Sequence, residues 1–416
     1  MNLQRLKLEN VGQIKRAEVE FGDLTVLVGP QATGKSIFLQ FLKLAADTGY
    51  VHDEMRKHGM DWKRSLPDFL DVYLGEGMRE LWHDGESASA ITVDNKQINP
   101  VEMARPMHRT KKASVFYIPA QRVLSLANGW PRPFTAFSSE DPFAVRDFSE
   151  TFRILMEQEL GRADALFPKT NRLKKEYRDL LSRHVFGGFG LRVDRHGAQK
   201  RLVLRHGETS KSIPYMAWSA GQREFVPLLM GLYWLMPSAR VKRRGDIDWV
   251  VIEEPEMGLH PNAISVVLLL VLELLWRGYR VCLSTHSPHV LDVVWAVRVI
   301  QARGAEPSHL LDVFDVRKSE PMKGVAKEAI RRAARVYYFG QDGQARDISN
   351  LDPGSQDRSE AGWGGLSEFS GRVNDVVAAV VNENPCQPDS VQKHEYPTMG
   401  TAPPVIDEQD LPGLGQ

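Results

Sequence analysis

Four short runs that are apolar at almost every position stand out along the chain, at residues 24–28, 114–118, 249–252 and 280–284. Continuous runs of this kind predict strands of a parallel sheet that is buried on both faces. Residues 2–20 instead alternate apolar and polar positions in two runs, which is typical of paired antiparallel strands. The pattern predicts a buried central sheet beside an N-terminal antiparallel β subdomain.

Stretches with helical periodicity separate these strands, at residues 36–46, over most of 140–183 and from 220 to 236. Parallel strands need crossovers of this kind, because the chain must return to the same end of the sheet. We therefore expect an α/β fold with a central, mostly parallel sheet, flanking helices and an inserted helical lobe.

Shorter patterns predict further hairpins and helices. The expected hairpins lie at residues 90–98, 189–205 and 336–348, and the expected helices at 323–335 and 370–382. Residues 385–416 contain Pro and Gly and have no apolar period, so we expect a disordered tail there. The sequence has no internal repeat and no heptad run long enough for a coiled coil.

Composition narrows the function classes. The 416 residues include 53 Lys and Arg and 53 Asp and Glu, so no overall field favours nucleic acid or a membrane surface. Only Cys282 and Cys386 are present, which excludes a disulfide scaffold and suits a reducing compartment. The most apolar run, residues 266–276, is shorter than the roughly 20 residues that span a bilayer. We expect a cytoplasmic protein without a membrane partner.

A glycine-rich turn joins the first apolar strand to the first helix. Its eight residues fit the pattern G-x-x-x-x-G-K-[ST] and are Gly29, Pro30, Gln31, Ala32, Thr33, Gly34, Lys35 and Ser36. In this pattern backbone N–H groups cradle phosphates at a helix N-terminus, the lysine neutralises them, and the serine hydroxyl binds Mg²⁺. The strand–turn–helix setting is the one that a phosphate-binding loop requires.

Polar side chains stand at the ends of the other apolar strands. Glu253 and Glu254 end the run at 249–252, and we assign Glu253 to a metal ion and Glu254 to the attacking water. His286 follows the next strand, where it can touch a γ-phosphate because strand ends converge on one crevice. Gln121 follows residues 114–118 as a candidate Mg²⁺ ligand. Arg122 beside it is either a site residue or a salt-bridge residue.

With these motifs in order, the chain resembles the ABC-type ATPase heads of the SMC, RecF and OLD (overcoming lysogenization defect) group over about residues 1–305. The loop at 29–36 then corresponds to Walker A, Gln121 to the Q-loop, Glu253 to Walker B, Glu254 to the catalytic glutamate and His286 to the switch histidine. The signature motif corresponds to Ser219, Ala220, Gly221 and Gln222, and the D-loop to Leu259 and His260. The sequence of residues 253–261, EEPEMGLHP, especially resembles the OLD branch.

The resemblance implies a P-loop NTPase fold of the ABC-ATPase type, with ATP and Mg²⁺ held between two copies of the chain. The signature of one copy would then reach the nucleotide held by the other. Gln31, Ala220 and Glu253 replace the Asn, Gly and Asp that are commoner in such proteins. Glu253 is the longer acid, so we expect slow hydrolysis.

The resemblance also divides the chain. The ATPase head covers residues 1–305, with insertions at about 47–112 and 123–212. Residues 306–384 form a small α/β segment that completes or decorates the head. No convincing D-x-D motif follows a hydrophobic strand there, so we expect no intrinsic nuclease. A transporter motor fits poorly with lobes of this size.

Two roles remain open. The first is an ATP-gated dimer or larger assembly that senses a trigger and regulates a separate effector protein, in a prokaryotic anti-phage or toxin–antitoxin-like setting that the resemblance implies. The second is a RecF-like DNA-repair ATPase. The span from Lys169 to Arg205 contains eleven Lys and Arg residues and three Asp and Glu residues, which is a formal excess of eight positive charges. It is a nucleic-acid surface, an acidic-partner interface or a solvated face.

Overall fold

The computed structural model describes residues 3–63, 65–106, 112–160, 165–196, 199–207, 211–237 and 242–383. The chain divides into two units, Met1–Ser367 and Glu368–Gln416. In the second unit, helix Glu368–Glu383 is described and agrees with the helix expected at 370–382. The tail expected at 385–416 lies outside the described residues.

The strands number in chain order as follows: β1 Arg5–Val11, β2 Ile14–Glu20, β3 Leu24–Val28, β4 Ala90–Val93, β5 Lys96–Gln97, β6 Val115–Ile118, β7 Leu126–Ala127, β8 Trp130–Pro131, β9 Ala165–Phe167, β10 Phe189–His196, β11 Gln199–His206, β12 Ser212–Pro214, β13 Trp249–Glu253, β14 Arg280–Thr285, β15 Ala334–Phe339 and β16 Ala345–Asp347.

The α-helices are α1 Lys35–Lys57, α2 Leu66–Leu74, α3 Pro100–Ala104, α4 Phe143–Ile154, α5 Lys175–Leu181, α6 Ala220–Leu235, α7 Pro261–Trp276, α8 Pro288–Ala302, α9 His309–Val313, α10 Glu320–Arg331, α11 Arg358–Ala361 and α12 Glu368–Glu383. Short 3-10 turns lie at Met78–Leu81, Arg122–Ser125, Phe134–Ala136 and Tyr215–Ala217, and π-helical turns at Leu155–Glu159 and Ser182–Phe186. Among the described residues, no helix is long and apolar enough to cross a membrane.

A six-stranded sheet in the order β16-β15-β3-β14-β13-β6 forms the centre of the first unit. Strands β15, β3, β14, β13 and β6 pair in parallel, and β16 pairs antiparallel with β15. Val28 is opposite Thr285, and Ser284 is opposite Glu253. The carboxyl ends of β3, β14 and β13 therefore lie side by side at one edge, which is where ligands bind in such sheets.

The two faces of this sheet contribute to two separate hydrophobic cores. Val26 and Ile252 pack in the core that includes α6, α7 and α8, whereas Leu27 and Val251 pack in the core that includes α1 and α2. Every residue of β3 and of β13 is buried. Because both faces of the sheet are buried, these strands are apolar at consecutive positions. Burial of each large apolar side chain contributes roughly 1.5–3 kcal/mol to the stability of the fold.

The N-terminal antiparallel subdomain is present as the sheet β2-β1-β4-β5. The start of β2 touches the glycine-rich loop: a Cβ atom placed on Gly34 would lie 2.5 Å from Cγ1 of Ile14. The subdomain therefore forms one wall beside the start of α1.

The inserted lobe is not simply helical, which corrects the expectation. Besides α4 and α5 it contains a four-stranded antiparallel sheet in the order β12-β11-β10-β9. The hairpin β10–β11 was expected, but β9 and β12 have three residues each, too few to show a strand period in the sequence.

Two helix boundaries differ from expectation. Helix α1 continues to Lys57 instead of ending near residue 46, although Asp47 leaves the helical conformation inside it. The Asp47 carboxylate accepts hydrogen bonds from the backbone N–H groups of Ser114 and Val115, at 2.9 and 3.0 Å, and this contact favours the local distortion. Helix α10 ends at Arg331, because the chain then enters β15 and extends the central sheet. Strands β15 and β16 thus extend the central sheet beyond β3.

Candidate active site

The glycine-rich loop joins β3 to α1 in a conformation that requires its glycines. Gly29 has φ 143° and Gly34 has φ 92°, both in the region that favours glycine. A Cβ on Gly29 would lie 2.2 Å from the carbonyl oxygen of Phe339 in β15. Gly34 is the N-cap residue of α1 and provides no side-chain cap, so the first N–H groups of the helix remain available to an anion.

Lys35 is buried and its amine lies along the loop. The Nζ atom donates to the carbonyl oxygens of Gly29 and Pro30, at 2.8 and 2.6 Å, and to Oγ1 of Thr33 at 3.3 Å. Burial lowers the pKa of Lys35 to about 8, against the opposing charges of Glu254 and Glu256. The loop thus holds a cationic side chain directly beside the free N–H groups of α1.

A cleft of about 300 Å³ opens over this loop. Its lining residues are Gln13, Gln31, Ala32, Thr33, Gly34, Lys35, Ser36, Ile37, Glu254 and His286. The structure thereby brings the loop at 29–36 together with Glu254 and His286. Gln13 was missed, since it enters from the β1–β2 turn and no local motif marks it.

Glu253 ends β13 as a buried carboxylate. Its Oε2 atom accepts a hydrogen bond from the Ala120 N–H at 3.0 Å, while its Oε1 atom is buried without a hydrogen-bond partner in the described part of the chain. Burial raises the pKa of Glu253, and the Ser36 hydroxyl, the Ala120 amide and the Tyr117 hydroxyl oppose that rise. A carboxylate oxygen without a partner beside a serine hydroxyl is a donor set that suits a hard divalent cation.

Glu254 adopts a backbone conformation that is unusual for its residue type, with φ 41°. Its N–H donates to the Ser284 carbonyl at 3.0 Å, and its Oε1 atom lies 3.4 Å from Nε2 of His286. The hydrogen bond from His286 lowers the pKa of Glu254, and the charges of His286, Lys35 and Arg122 act in the same direction while burial opposes them. The carboxylate is therefore held ionised at the cleft.

Arg122 is fully buried, which resolves the question that the sequence left open. Its guanidinium donates to the carbonyl oxygens of Glu253 at 3.0 Å and Glu254 at 3.1 Å, and to that of Glu224 in α6 at 3.1 Å. Burial lowers the pKa of Arg122, and four surrounding carboxylates oppose the shift. Arg122 is a buried hydrogen-bonding residue that joins α6 to the end of β13.

Gln121 is exposed and is not among the described residues that line the cleft. The preceding residue, Ala120, makes the contact with Glu253. The role of Gln121 as a metal ligand stays a prediction that this arrangement does not support directly.

The signature residues lie at the start of α6, outside the cleft of their own chain. Ser219 is the N-cap: its Oγ accepts from the Gln222 N–H at 3.2 Å, and Oε1 of Gln222 accepts from the Ser219 N–H at 3.1 Å. Ser219 and Ala220 are exposed. This reciprocal cap fixes the backbone while leaving the serine at the surface.

The candidate D-loop lies against the signature. A Cβ atom on Gly221 would lie 2.7 Å from the Gly258 carbonyl oxygen and 3.6 Å from a methyl group of Leu259. His260 is the N-cap of α7, with Nδ1 accepting from the Asn262 N–H at 3.4 Å. The two motifs therefore share one surface.

Much of the basic span is paired within the fold. The basic residues with a hydrogen-bond or ion-pair partner include Arg172, Lys174, Lys175, Arg178 and Arg201. Glu159 and Glu273 accept from Arg172 and Lys174, and they lie outside the span that the sequence count covered. The charge excess counted along the sequence therefore overstates the free positive charge.

Two family models match the sequence. One, described as "AAA domain, putative AbiEii toxin, Type IV TA system", covers residues 92–292. The other, described as "AAA domain", covers residues 5–123 and so includes the glycine-rich loop. Together the two AAA-domain models extend over residues 5–292, which supports an ATPase of the AAA type.

The chain has the P-loop NTPase fold of the ABC-ATPase type, as its loop after β3, its parallel central sheet and its antiparallel N-terminal sheet indicate. Similar solved structures include an SMC head bound to the C-winged helix domain of ScpA, at 10% identity and a TM-score of 0.39, with 83% of this chain and 96% of that chain covered. The SMC head domain from Thermotoga maritima is 12% identical with a TM-score of 0.29, covering 70% and 92%.

A dimeric bacterial ABC transporter cassette is also 12% identical, with a TM-score of 0.34 and coverage of 82% of this chain and 97% of that chain. No curated protein matches the sequence.

Proposed function

We propose that two copies of this ATPase enclose ATP between them, and that hydrolysis at Glu254 releases the pair. The observation that supports this most strongly is a separation within one chain. Lys35, Glu254 and His286 line the cleft, whereas Ser219 lies exposed at the start of α6 and does not line it. A second copy can bring its own serine to the open side of the cleft.

In this proposal the loop binds the triphosphate through backbone N–H groups and the Lys35 amine. Glu254 accepts a proton from a water molecule, whose oxygen attacks the γ-phosphorus in line. The new P–O bond forms as the bond to the β-phosphate oxygen breaks, and ADP leaves with the bonding electrons. His286 hydrogen-bonds to Glu254 and holds the carboxylate toward the phosphate.

A divalent cation fits the residues next to this loop. Ser36 and Glu253 would hold it. Glu253 has a buried oxygen without a hydrogen-bond partner among the described residues, and the Ser36 hydroxyl is close enough to act on the pKa of the same carboxyl group. Mg²⁺ would supply positive charge that neutralises the phosphates. Glu253 would orient the site, while Glu254 remains free to take the proton.

The biological role that we propose is the regulation of a separate effector in prokaryotic defence. One matching family description names a putative AbiEii toxin and a type IV toxin–antitoxin system, which supports a defence setting. Co-expression with the protein encoded next to it tests this role: a partner that is toxic alone and restrained by the wild-type ATPase is the expected result. A toxic neighbour unaffected by this chain would contradict it.

We do not propose direct action on DNA as the main function, because five of the basic residues in the span 169–205 already have protein partners. A duplex that stimulates turnover at moderate salt would revive the repair alternative.

Self-association is testable with the purified chain. We expect turnover per chain to rise with protein concentration, because the complete site forms only when two copies meet. Light scattering should show an ATP-dependent doubling of mass in Glu254→Gln, which binds ATP but cannot hydrolyse it. A rate per chain independent of concentration, with a mass that ATP leaves unchanged, would contradict the sandwich.

A further inference from the structure

Glu256 makes a contact that no motif in the sequence signals. It lies two residues after Glu254, on the segment that leaves β13, and its side chain crosses to the loop that follows β14. Its Oε1 atom accepts hydrogen bonds from Oγ1 of Thr285 at 2.8 Å and from the backbone N–H of His286 at 2.6 Å. One carboxylate oxygen therefore holds two consecutive residues of the neighbouring loop.

The loop that Glu256 holds follows β14, is short and leads directly into α8. Thr285 is fully buried, and its hydroxyl, which donates to Glu256, also accepts from the N–H of Ser287 at 2.9 Å. Ser287 is the N-cap residue of α8. The bonds run continuously from Glu256 through Thr285 to the start of α8, so the position of His286 between them is fixed on both sides.

Two glutamates on one segment therefore contact the same histidine. Glu254 lies 3.4 Å from the imidazole Nε2, and Glu256 accepts from the histidine N–H. The imidazole itself is about a quarter exposed, with 27% of its side-chain surface accessible. Because part of the ring faces solvent, packing constrains it on one side only. Its direction therefore depends on the backbone of His286, which Glu256 holds.

The second oxygen of Glu256 strengthens this interpretation. Oε2 is buried without a hydrogen-bond partner among the described residues, which is unfavourable for a carboxylate. Lys35 and Arg122 both lie close enough for the charge of Glu256 to act on them. Among the described residues, the hydrogen bonds that the Glu256 carboxylate does make, both through Oε1, go to Thr285 and His286.

We propose that Glu256 is a positioning residue for His286: its carboxylate fixes the backbone of the loop after β14 so that the imidazole meets Glu254. This inference rests on the proposed function, in which Glu254 takes the proton of the attacking water. Glu256 itself does not line the nucleotide cleft among the described residues. It should therefore affect the hydrolytic step and leave nucleotide binding intact.

The kinetic test is a double-mutant cycle with the full chain. Glu256→Ala should lower kcat by about tenfold or more and leave the dissociation constant for ATP within about threefold, as expected for a misplaced catalytic group. In a His286→Ala background, adding Glu256→Ala should change kcat less than about twofold, because residues acting through one another are not additive. An equal loss of kcat in both backgrounds would overturn the inference.

Variants that remove only part of the hydrogen bonding at Glu256 should have smaller effects on kcat. Glu256→Gln keeps an oxygen acceptor at the same reach and should recover part of the lost kcat. Thr285→Val removes the hydroxyl donor and leaves the His286 N–H, so its loss should be smaller than that of Glu256→Ala. A matched control is Asp141→Asn, since Asp141 also accepts from a backbone N–H and a hydroxyl of one residue, Ser138, at 2.8 and 3.0 Å. Its kcat should equal that of the wild type.

A spectroscopic arm separates this inference from the proposed function. Histidine-ring NMR of the nucleotide-free chain, with the His286 signal assigned by comparison with His286→Ala, should show a displaced His286 resonance in Glu256→Ala and an unchanged one in Asp141→Asn. An unchanged His286 signal in Glu256→Ala would refute the positioning role. Normal turnover in Glu254→Gln alongside a displaced His286 signal would instead refute the proposed hydrolysis and leave the positioning role standing.

Discussion

The cleft and the signature surface of this ATPase are built in opposite ways. Around the cleft, buried charged groups interlock: Lys35 bonds its own loop, and Arg122 bonds the carbonyl oxygens of Glu253 and Glu254. At the signature, Ser219 is exposed, and its hydrogen bonds among the described residues go to Gln222 and Arg223 in the first turn of the same helix. The cleft is held by contacts within the fold, whereas the signature is an exposed surface.

This difference predicts what each kind of substitution will do. Changes in the cleft should affect binding, chemistry or the stability of the single chain. Changes at the signature should spare the single chain and affect what two chains do together.

The largest effect is expected for Lys35→Ala. Removing the buried amine takes away the cation beside the free N–H groups of α1, so ATP affinity should fall by at least about 100-fold and turnover should vanish. Calorimetric titration with ATP measures the change. The control is Lys323→Ala, at a surface lysine paired with Glu320, which should bind ATP like the wild type. ATP binding at wild-type strength in Lys35→Ala would mean that the nucleotide lies elsewhere.

Glu254→Gln should bind ATP normally and lower kcat by about 100-fold or more, because the amide cannot accept the proton of water. Phosphate release under single-turnover conditions measures this step. A comparable loss in Glu150→Gln, at a carboxylate paired with Arg153 away from the cleft lining, would show that the effect is not specific.

Arg122→Met tests the buried side of the comparison through stability. It leaves the carbonyl oxygens of four residues without their buried donor and the Glu224 carboxylate without its cation, so the free energy of unfolding should fall by about 3–5 kcal/mol. Urea unfolding of the nucleotide-free chain measures it. Arg298→Met, which loses one exposed hydrogen bond to Asn350, should change it little. Equal stability losses in the two variants would mean that Arg122 is not structural.

The smallest effect on the single chain is expected for Ser219→Ala. Loss of the N-cap should cost about 1 kcal/mol of stability, as for other serine caps. Ser65→Ala, which removes the cap of α2, is a matched control with a similar loss. Only Ser219→Ala should also lower turnover at a protein concentration where the wild type is associated. Identical turnover in the two variants would remove Ser219 from the site.

The sequence predicted the parts of the site that short local patterns specify. The loop at 29–36 and the carboxylates at the end of β13 each follow a run of apolar residues directly, so their position at one sheet edge follows from the parallel topology. Gln13 and Glu256 were missed because their contacts come from side chains that cross between distant segments. No spacing in the sequence reports that Glu256 reaches Thr285.

Arg122 shows a second limit. A basic residue after a strand has two plausible environments, and the sequence does not reveal that Glu224, about 100 positions away, packs against it. The lobe sheet shows a third limit, since β9 and β12 are too short to produce an alternating pattern and were absorbed into an expected helical lobe. In each case the missing information is a long-range contact.

If the serine of one chain completes the cleft of another, two inactive variants should restore activity when they are mixed. Lys35→Ala and Ser219→Arg should each be inactive alone. In an equal mixture, half of the pairs should join one chain of each kind, and each such pair contains one intact loop facing one intact signature. Since one of the two sites in each such pair is intact, we expect recovery to about a quarter of wild-type turnover. A mixture that stays as inactive as its two components would contradict it.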